Sequence, residues 1–272
     1  MEPIRINIAV PFRVDGKAEE HPGCLRKFDA RDIRRYLDAL KAEIDACEEE
    51  TESYLVQEIA FINGSYTHLG QDDPKKICGW IGERFRVSPN AHIRLQATPS
   101  ALNFFTMNAA RQLGNSLIAL ELPALSEKGL SDAGFVCNVK NAEAAMDSCF
   151  QNGCRSFGCV ISPHCCGSAE TLRTTLAAVL ARHPAELRFS PALSDAELAE
   201  TAPLLEAAGY QTQFPKEIWC REAPVLRRKY LTEIGFGPYA FSLFDGTPIR
   251  TTADFDFYCS HSADFEALVT HR

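Results

Sequence analysis

INIAVPFRVDGKAEEHPGC, residues 6–24, opens on an apolar run that stops at Pro11-Phe12 and passes into a long polar loop. A β-rich stretch, IRINIAV (4–10), precedes that loop, and a helix is expected from Ala30 to Glu49 after it. In that helix Ile33, Leu37, Leu40, Ile44 and Cys47 recur at helical spacing. Asp29 stands where a side-chain oxygen accepts from the orphan amides of the first turn. The chain thus begins as strand, loop and helix, with the loop leaving the carboxyl end of the strand.

The same unit repeats. QEIAFIN (57–63) precedes a helix opened by Asp73-Pro74, where proline is tolerated at the first helical position. HIRLQA (92–97) leads into a helix over 100–113, and SLIALEL (116–122) into one near 141–152. RSFGCVIS (155–162) and AELRFS (185–190) are followed by helices over 169–182 and 195–208. Ser194 and Glu197 form a capping-box pattern, and Gly114, Gly153 and Gly209 each stand where a left-handed helix end is expected. Strands alternating with helices imply right-handed crossovers and a parallel sheet. About six βα units fit either an open doubly wound sheet or a closed or partly closed barrel. Both place ligands at the carboxyl ends of the strands. Beyond Tyr230, EIGFGPYAFSLF reads as a glycine-interrupted strand and DFDFY as a short element. No linker-like tract appears, so residues 1–272 are read as one domain, with a βα repeat over 4–208 and an extension over 209–272 completing or covering it.

Composition narrows the function. The 272 residues are 46% hydrophobic, enough for a full core. A formal charge of −8 and the lack of a basic stripe argue against a nucleic-acid partner. No window reaches the apolar length of a membrane span, and the start MEPIRINIAV carries no export pattern, so a cytoplasmic location is expected. Its eleven cysteines are then expected as thiols or metal ligands rather than a disulfide framework.

Several stretches, in order, resemble the oxygen-independent coproporphyrinogen III oxidase and heme-chaperone family of the radical S-adenosylmethionine (SAM) superfamily. AVPF (9–12) resembles the end of the family's first strand, and YLDALKAEI (36–44) its first helix. FINGSYTHL (61–69) is similar to its glycine-triplet stretch, and LQATPSAL (95–102) to its Glu-Ala-Asn-Pro stretch. LEAAGYQT (205–212) and EIGFGPYAFS (233–242) are similar to segments near the end of its barrel. The resemblance implies an α/β fold, a partial (β/α)6 TIM-like barrel of the radical SAM type.

It also implies three cysteines straight after Pro-Phe, holding a four-iron cluster that leaves one iron open for SAM. Registered on Pro11-Phe12, those positions hold Arg13, Lys17 and Glu20. The glycine triplet has become Asn63, Gly64 and Ser65, followed by Tyr66. Gln96 stands for the family's acidic residue, and Phe241 for a histidine of the late glycine run. No cofactor of the family's kind is therefore expected. The expected role is non-catalytic: binding a tetrapyrrole such as heme or another small ligand, or pairing with an active relative or a second copy.

The pocket expected on this reading gathers Arg13, Lys17, Asn63, Gly64, Ser65, Tyr66, Gln96, Glu121, His164 and Cys165. Arg13, Lys17 and Arg94 suit propionate carboxylates, because guanidinium and ammonium groups make charge-assisted hydrogen bonds. The plainer alternative pairs Arg13 and Lys17 with Asp15, Glu19 or Glu20 in a solvated loop. Phe12, Phe104, Phe105, Phe236 and Tyr239 are either core aromatics or the walls of an apolar cavity. The alternative function is an enzyme with a relocated site. It would use a metal on His164 and Cys165, or cofactor-free chemistry around Arg13, Gln96 and Glu121. Cys154 and Cys159 stand more than ~15 Å before Cys165 and Cys166 along a strand, which spaces the four badly for one ion.

Overall fold

The computed structural model of the protein describes residues 1–47, 51–151, 157–221 and 232–271. Gly153 and Cys154 lie outside them. The β-strands are β1 (Glu2–Val10), β2 (Tyr54–Asn63), β3 (Val87–Ala97), β4 (Ser116–Glu121), β5 (Phe157–Ile161) and β6 (Glu186–Phe189). They are followed by β7 (Gln211–Phe214), β8 (Ile218–Cys220), β9 (Glu233–Phe236), β10 (Phe241–Phe244) and β11 (Thr247–Arg250). The helices are α1 (Ala30–Ala46), α2 (Asp73–Arg84), α3 (Phe104–Arg111), α4 (Glu127–Asp132) and α5 (Val139–Gln151). After them come α6 (Pro163–Cys166), α7 (Ala169–Leu180), α8 (Asp195–Ala207), α9 (Phe255–His261) and α10 (Phe265–Thr270).

All strands belong to one sheet, ordered β11-β10-β9-β1-β2-β3-β4-β5-β6-β8-β7. From β9 to β6 every neighbouring pair is parallel, as the crossover helices require. The antiparallel strands at the two ends come from the chain beyond residue 209. β9 returns to pair with the free edge of β1, Arg5 opposite Glu233. No ladder joins β11 to β7 among the described residues, so the sheet is a curled, open frame rather than a closed ring. No described helix is long and apolar enough to cross a membrane.

Local chemistry explains most element boundaries. Asp29 accepts from the amides of Arg31 and Asp32 at 2.7 and 3.0 Å, starting α1. Ser194 and Glu197 form the expected capping box of α8. Gly114 and Gly209 take φ of +77° and +85°, as the left-handed ends require. The helix expected over 100–113 is instead a 3₁₀ turn, Pro99–Ala101, followed by α3. The cause is Asn103, whose side chain accepts from Phe105 and Thr106 and restarts the helix. The stretch 233–244 is two strands, reversed at Gly237 and Tyr239, which both have positive φ.

The two faces of the sheet differ. Ile4, Ile6, Ile8 and Val10 of β1 pack outward into the core with Tyr36, Leu40 and Ile44 of α1 and Ile77 and Ile81 of α2. The alternate residues include Arg5 and Asn7 on β1, Glu58 on β2, and His92, Arg94 and Gln96 on β3. They continue with Glu121 on β4 and Glu186 and Arg188 on β6. Parallel strands covered on both faces by apolar layers would read as unbroken hydrophobic runs. This polar alternation is the signature of an inner face that borders a cavity.

Candidate functional site

A cavity of about 730 Å³ occupies the concave side of the sheet. Its walls come from β1 through β6, from β8 and from the loops at the strand ends, and include Arg5, Arg13, Arg94, Gln96, Glu121 and Arg188.

The loop after β1 closes one side. The Arg13 amide donates to the Leu25 carbonyl at 3.1 Å and the Leu25 amide to the Pro11 carbonyl at 2.7 Å, pinching the loop at its neck. Asp15, fully buried, accepts from the Val136 amide at 2.9 Å and from the Ser100 hydroxyl. The Gly16 amide donates to the Gly134 carbonyl at 2.9 Å. The loop is therefore tied to the segments that follow β3 and β4.

From this neck the Arg13 side chain turns inward with no exposure. Its guanidinium makes a two-pronged pair with Glu121, donates from Nη1 to the Asn63 carbonyl at 3.0 Å, and from Nε to the Asp15 carbonyl at 2.6 Å. Gln96 donates its amide to the same Glu121 carboxylate. Burial opposes ionisation of Glu121, yet the Arg13 charge outweighs it and holds the carboxyl below its ordinary range. His21 is pushed down to about 4, first by burial and then by the Arg13 charge, so it is neutral near pH 7. The plainer sequence reading gave Arg13 partners inside its own loop. Only the Asp15 backbone serves there; the ionic partner is Glu121, far away in sequence.

Of the other residues expected in the pocket, Gln96, Glu121, His164 and Cys165 line the cavity, and Arg94 joins them. Lys17 is exposed and is not a wall residue. Nor are Asn63, Gly64, Ser65 and Tyr66. The Asn63 side chain donates to the Tyr239 carbonyl at 3.1 Å, and the Ser65 amide to the Phe12 carbonyl at 3.0 Å. The Tyr66 hydroxyl donates to the Thr106 carbonyl at 2.8 Å. Gly64 packs so tightly that an added Cβ would lie 2.4 Å from the carbonyl oxygens of Val10 and Phe12. Gly64→Ala is accordingly expected to cost on the order of 2 kcal/mol or more, read as a lowered urea midpoint at unchanged m.

The aromatic residues do not form an apolar slot. Phe12 and Phe236 are core, while Phe104 and Phe105 are exposed, 63% and 65%, on the outer side of the restarted α3. Tyr239 lies under the Arg250 guanidinium, 4.8 Å from its ring centre. Cys165 and His164 touch at 3.2 Å, but burial raises the Cys165 thiol and keeps it protonated. Cys159 is core and Cys166 points to the Pro123 carbonyl.

The donors present do not fit the four-iron cluster that the resemblance implies. The positions after Pro11-Phe12 hold a buried ion-paired guanidinium, an exposed lysine and an exposed glutamate. Cys24, the loop's own thiol, is raised to about 11, chiefly by burial, and donates to the Val10 carbonyl at 3.7 Å. Among the described residues no three of Cys, His, Asp and Glu converge on a metal-sized point.

Sequence reasoning named Arg94 but missed Arg5, Glu58, Glu186 and Arg188, which stand with it inside the sheet. The available signal was the polar alternation of IRIN, HIRLQ and ELRF.

No protein-family model matches the chain, and no curated protein sequence matches it. Among solved structures, coproporphyrinogen III oxidase (HemN) from Escherichia coli, described as a radical SAM enzyme, aligns at TM-score 0.78 and 16% identity. That alignment covers 98% of this chain and 70% of the other. SuiB from Streptococcus suis aligns at TM-score 0.43 and 13% identity over 69% of this chain and 39% of the other. The radical SAM methyltransferase TsrM from Kitasatospora setae aligns at 0.44 and 11% over 70% and 36%. The first alignment gives this chain the fold of the HemN structure; at such identity it speaks to the fold alone.

Proposed function

We propose that the chain is a non-catalytic small-ligand-binding protein built on the radical SAM fold, with the cavity inside the sheet as its binding site. The observation that carries this reading is the fully buried Arg13 guanidinium, clamped to Glu121 and to the Asn63 and Asp15 carbonyls. A cation locked at the first cluster position repels iron and offers it no donor, and the neighbouring thiol is held protonated. The remaining cavity has the size of a pocket for a drug-sized molecule.

A tetrapyrrole is not singled out as the ligand: the wall guanidiniums suit any carboxylate, propionates included, and nothing in the lining selects a flat macrocycle. A relocated metal site has little support, since His164 and Cys165 find no third ligand among the described residues. Production without oxygen, with iron and sulfide supplied, followed by metal analysis, tests the reading. Iron well below one atom per chain is the expected result. About four irons with stoichiometric sulfide, the content of one cluster, would overturn it.

A further inference from the structure

We infer that the ligand is a small organic oxyanion, whose carboxylate or phosphate group is held by Arg188, Arg94 and Arg5 in the amino-terminal half of the cavity. The inference rests on the cavity being the binding site and adds the chemistry of its occupant.

The three guanidiniums all border the cavity. Two carboxylates stand among them. Glu186 accepts from Arg94 at 2.8 Å and from Arg188 Nε at 3.0 Å, so one carboxylate serves two cations. Glu58 lies 3.7 Å from Arg5, an ion pair too long for a hydrogen bond. Arg5 Nε is buried with no hydrogen-bond partner, and so is Glu58 Oε1. The terminal nitrogens of Arg188 make no hydrogen bond to any described residue, though the side chain is only 28% exposed.

Glu233 on β9, opposite Arg5, is a further carboxylate beside this cluster, and its Oε2 accepts from the Asn7 side chain at 2.8 Å. What the described cluster leaves unused is therefore guanidinium donors, on Arg188 and at Arg5 Nε, rather than net charge. His92 is pushed toward the neutral form by burial, and Cys220 is kept a thiol by burial. The same surroundings drive Arg188 well below its ordinary basicity, first through burial and then through the charges of Arg94 and Arg5. Buried charges are expensive unless paired and hydrogen-bonded, and guanidinium forks match oxyanions in shape. One bound oxyanion would use the Arg188 terminal nitrogens that no described residue engages. The cavity is far larger than an inorganic ion, and Ala119, Val160, Phe189 and Pro191 give its walls apolar stretches. An organic body attached to the anionic group has room there.

The test is thermal unfolding of the full chain, titrated with sodium phosphate and with sodium succinate, against sodium chloride at matched ionic strength. A saturable rise with at least one oxyanion is expected, of about 5 °C at one hundred times the dissociation constant. A response to phosphate alone assigns a phosphate group, and one to succinate alone a carboxylate. Arg188→Met is expected to be at least as stable as wild type in chloride, because it removes the repelled cation, and to lose the oxyanion response. Arg188→Lys, which keeps the charge without the fork, should retain a weaker response. No saturable rise over chloride with either anion, or an undiminished rise in Arg188→Met, would overturn the inference. Iron measured on the same preparation separates the two readings: a cluster refutes the non-catalytic role, whereas iron-free protein that ignores both anions refutes only this site.

Discussion

Glu121→Ala is expected to destabilise the protein by about 3–5 kcal/mol, the range for removing one partner of a buried ion pair. The substitution leaves the Arg13 guanidinium enclosed, with only the Asn63 and Asp15 carbonyls as acceptors. It also strips the Gln96 amide of the carboxylate it donates to. Arg13→Met combined with Glu121→Leu removes both charges and fills similar volume, so it should recover most of that loss. A buried pair is often replaced by apolar residues at little cost. Urea unfolding of Arg13→Met, of Glu121→Leu and of the double variant gives the coupling directly. A loss below about 1 kcal/mol for Glu121→Ala would mean that solvent reaches Arg13, and the clamp on which the proposed function stands would be gone. The pair matters to function because it fixes the loop after β1 over the cavity. In the resembled family the same loop must present sulfur to iron. Here it presents a cation to a carboxylate.

Much of this was visible in the sequence, and the divide between what was and was not is physical. Asp29, Ser194 and Glu197 act within a single turn of chain, so their caps could be read from spacing. The alternation of strand and helix is equally local. Arg13 and Glu121 are 108 residues apart, and no pattern joins them. The return of β9 to the edge of β1 depends on pairing across most of the chain, so 233–244 read as one interrupted strand. Phe104 and Phe105 look like core by type; Asn103 restarts the helix and leaves both rings outside. The arginines of the cavity are the instructive case. Arg5, Arg94 and Arg188 each alternate with apolar neighbours on strands whose order implies burial on both sides. That conflict between pattern and topology could have revealed a polar interior before any coordinates.

Wild-type protein should lose stability between about pH 4.5 and 8 through one side chain, and Glu43→Gln should abolish that loss. Glu43 sits on the inner side of α1 with 5% exposure. Its Oε2 accepts from the Gly237 amide and the Tyr258 hydroxyl, each at 2.7 Å, while Oε1 is buried without a partner. No cation pairs with it among the described residues. Burial raises its pKa from 4.5 to about 8, and the hydrogen bonds from Tyr258 and Gly237 only partly oppose the rise. The folded state therefore keeps its proton where the unfolded chain has released it. Folding stability is full below pH 4.5, falls as pH rises toward 8, and levels off above it. The total is on the order of 4 kcal/mol. Gln mimics the protonated acid and cannot ionise, so the variant should match wild type near pH 5 and exceed it near pH 9. His21, lowered to about 4, contributes the opposite slope below about 6.5, but it is common to both proteins and cancels in their difference. Urea unfolding of the pair at pH 5, 7 and 9 reads that difference. A gap that stays constant across the three would show that Glu43 is already ionised in the fold, and that α1 is held to the β9–β10 turn and α9 by a carboxylate rather than by a neutral acid.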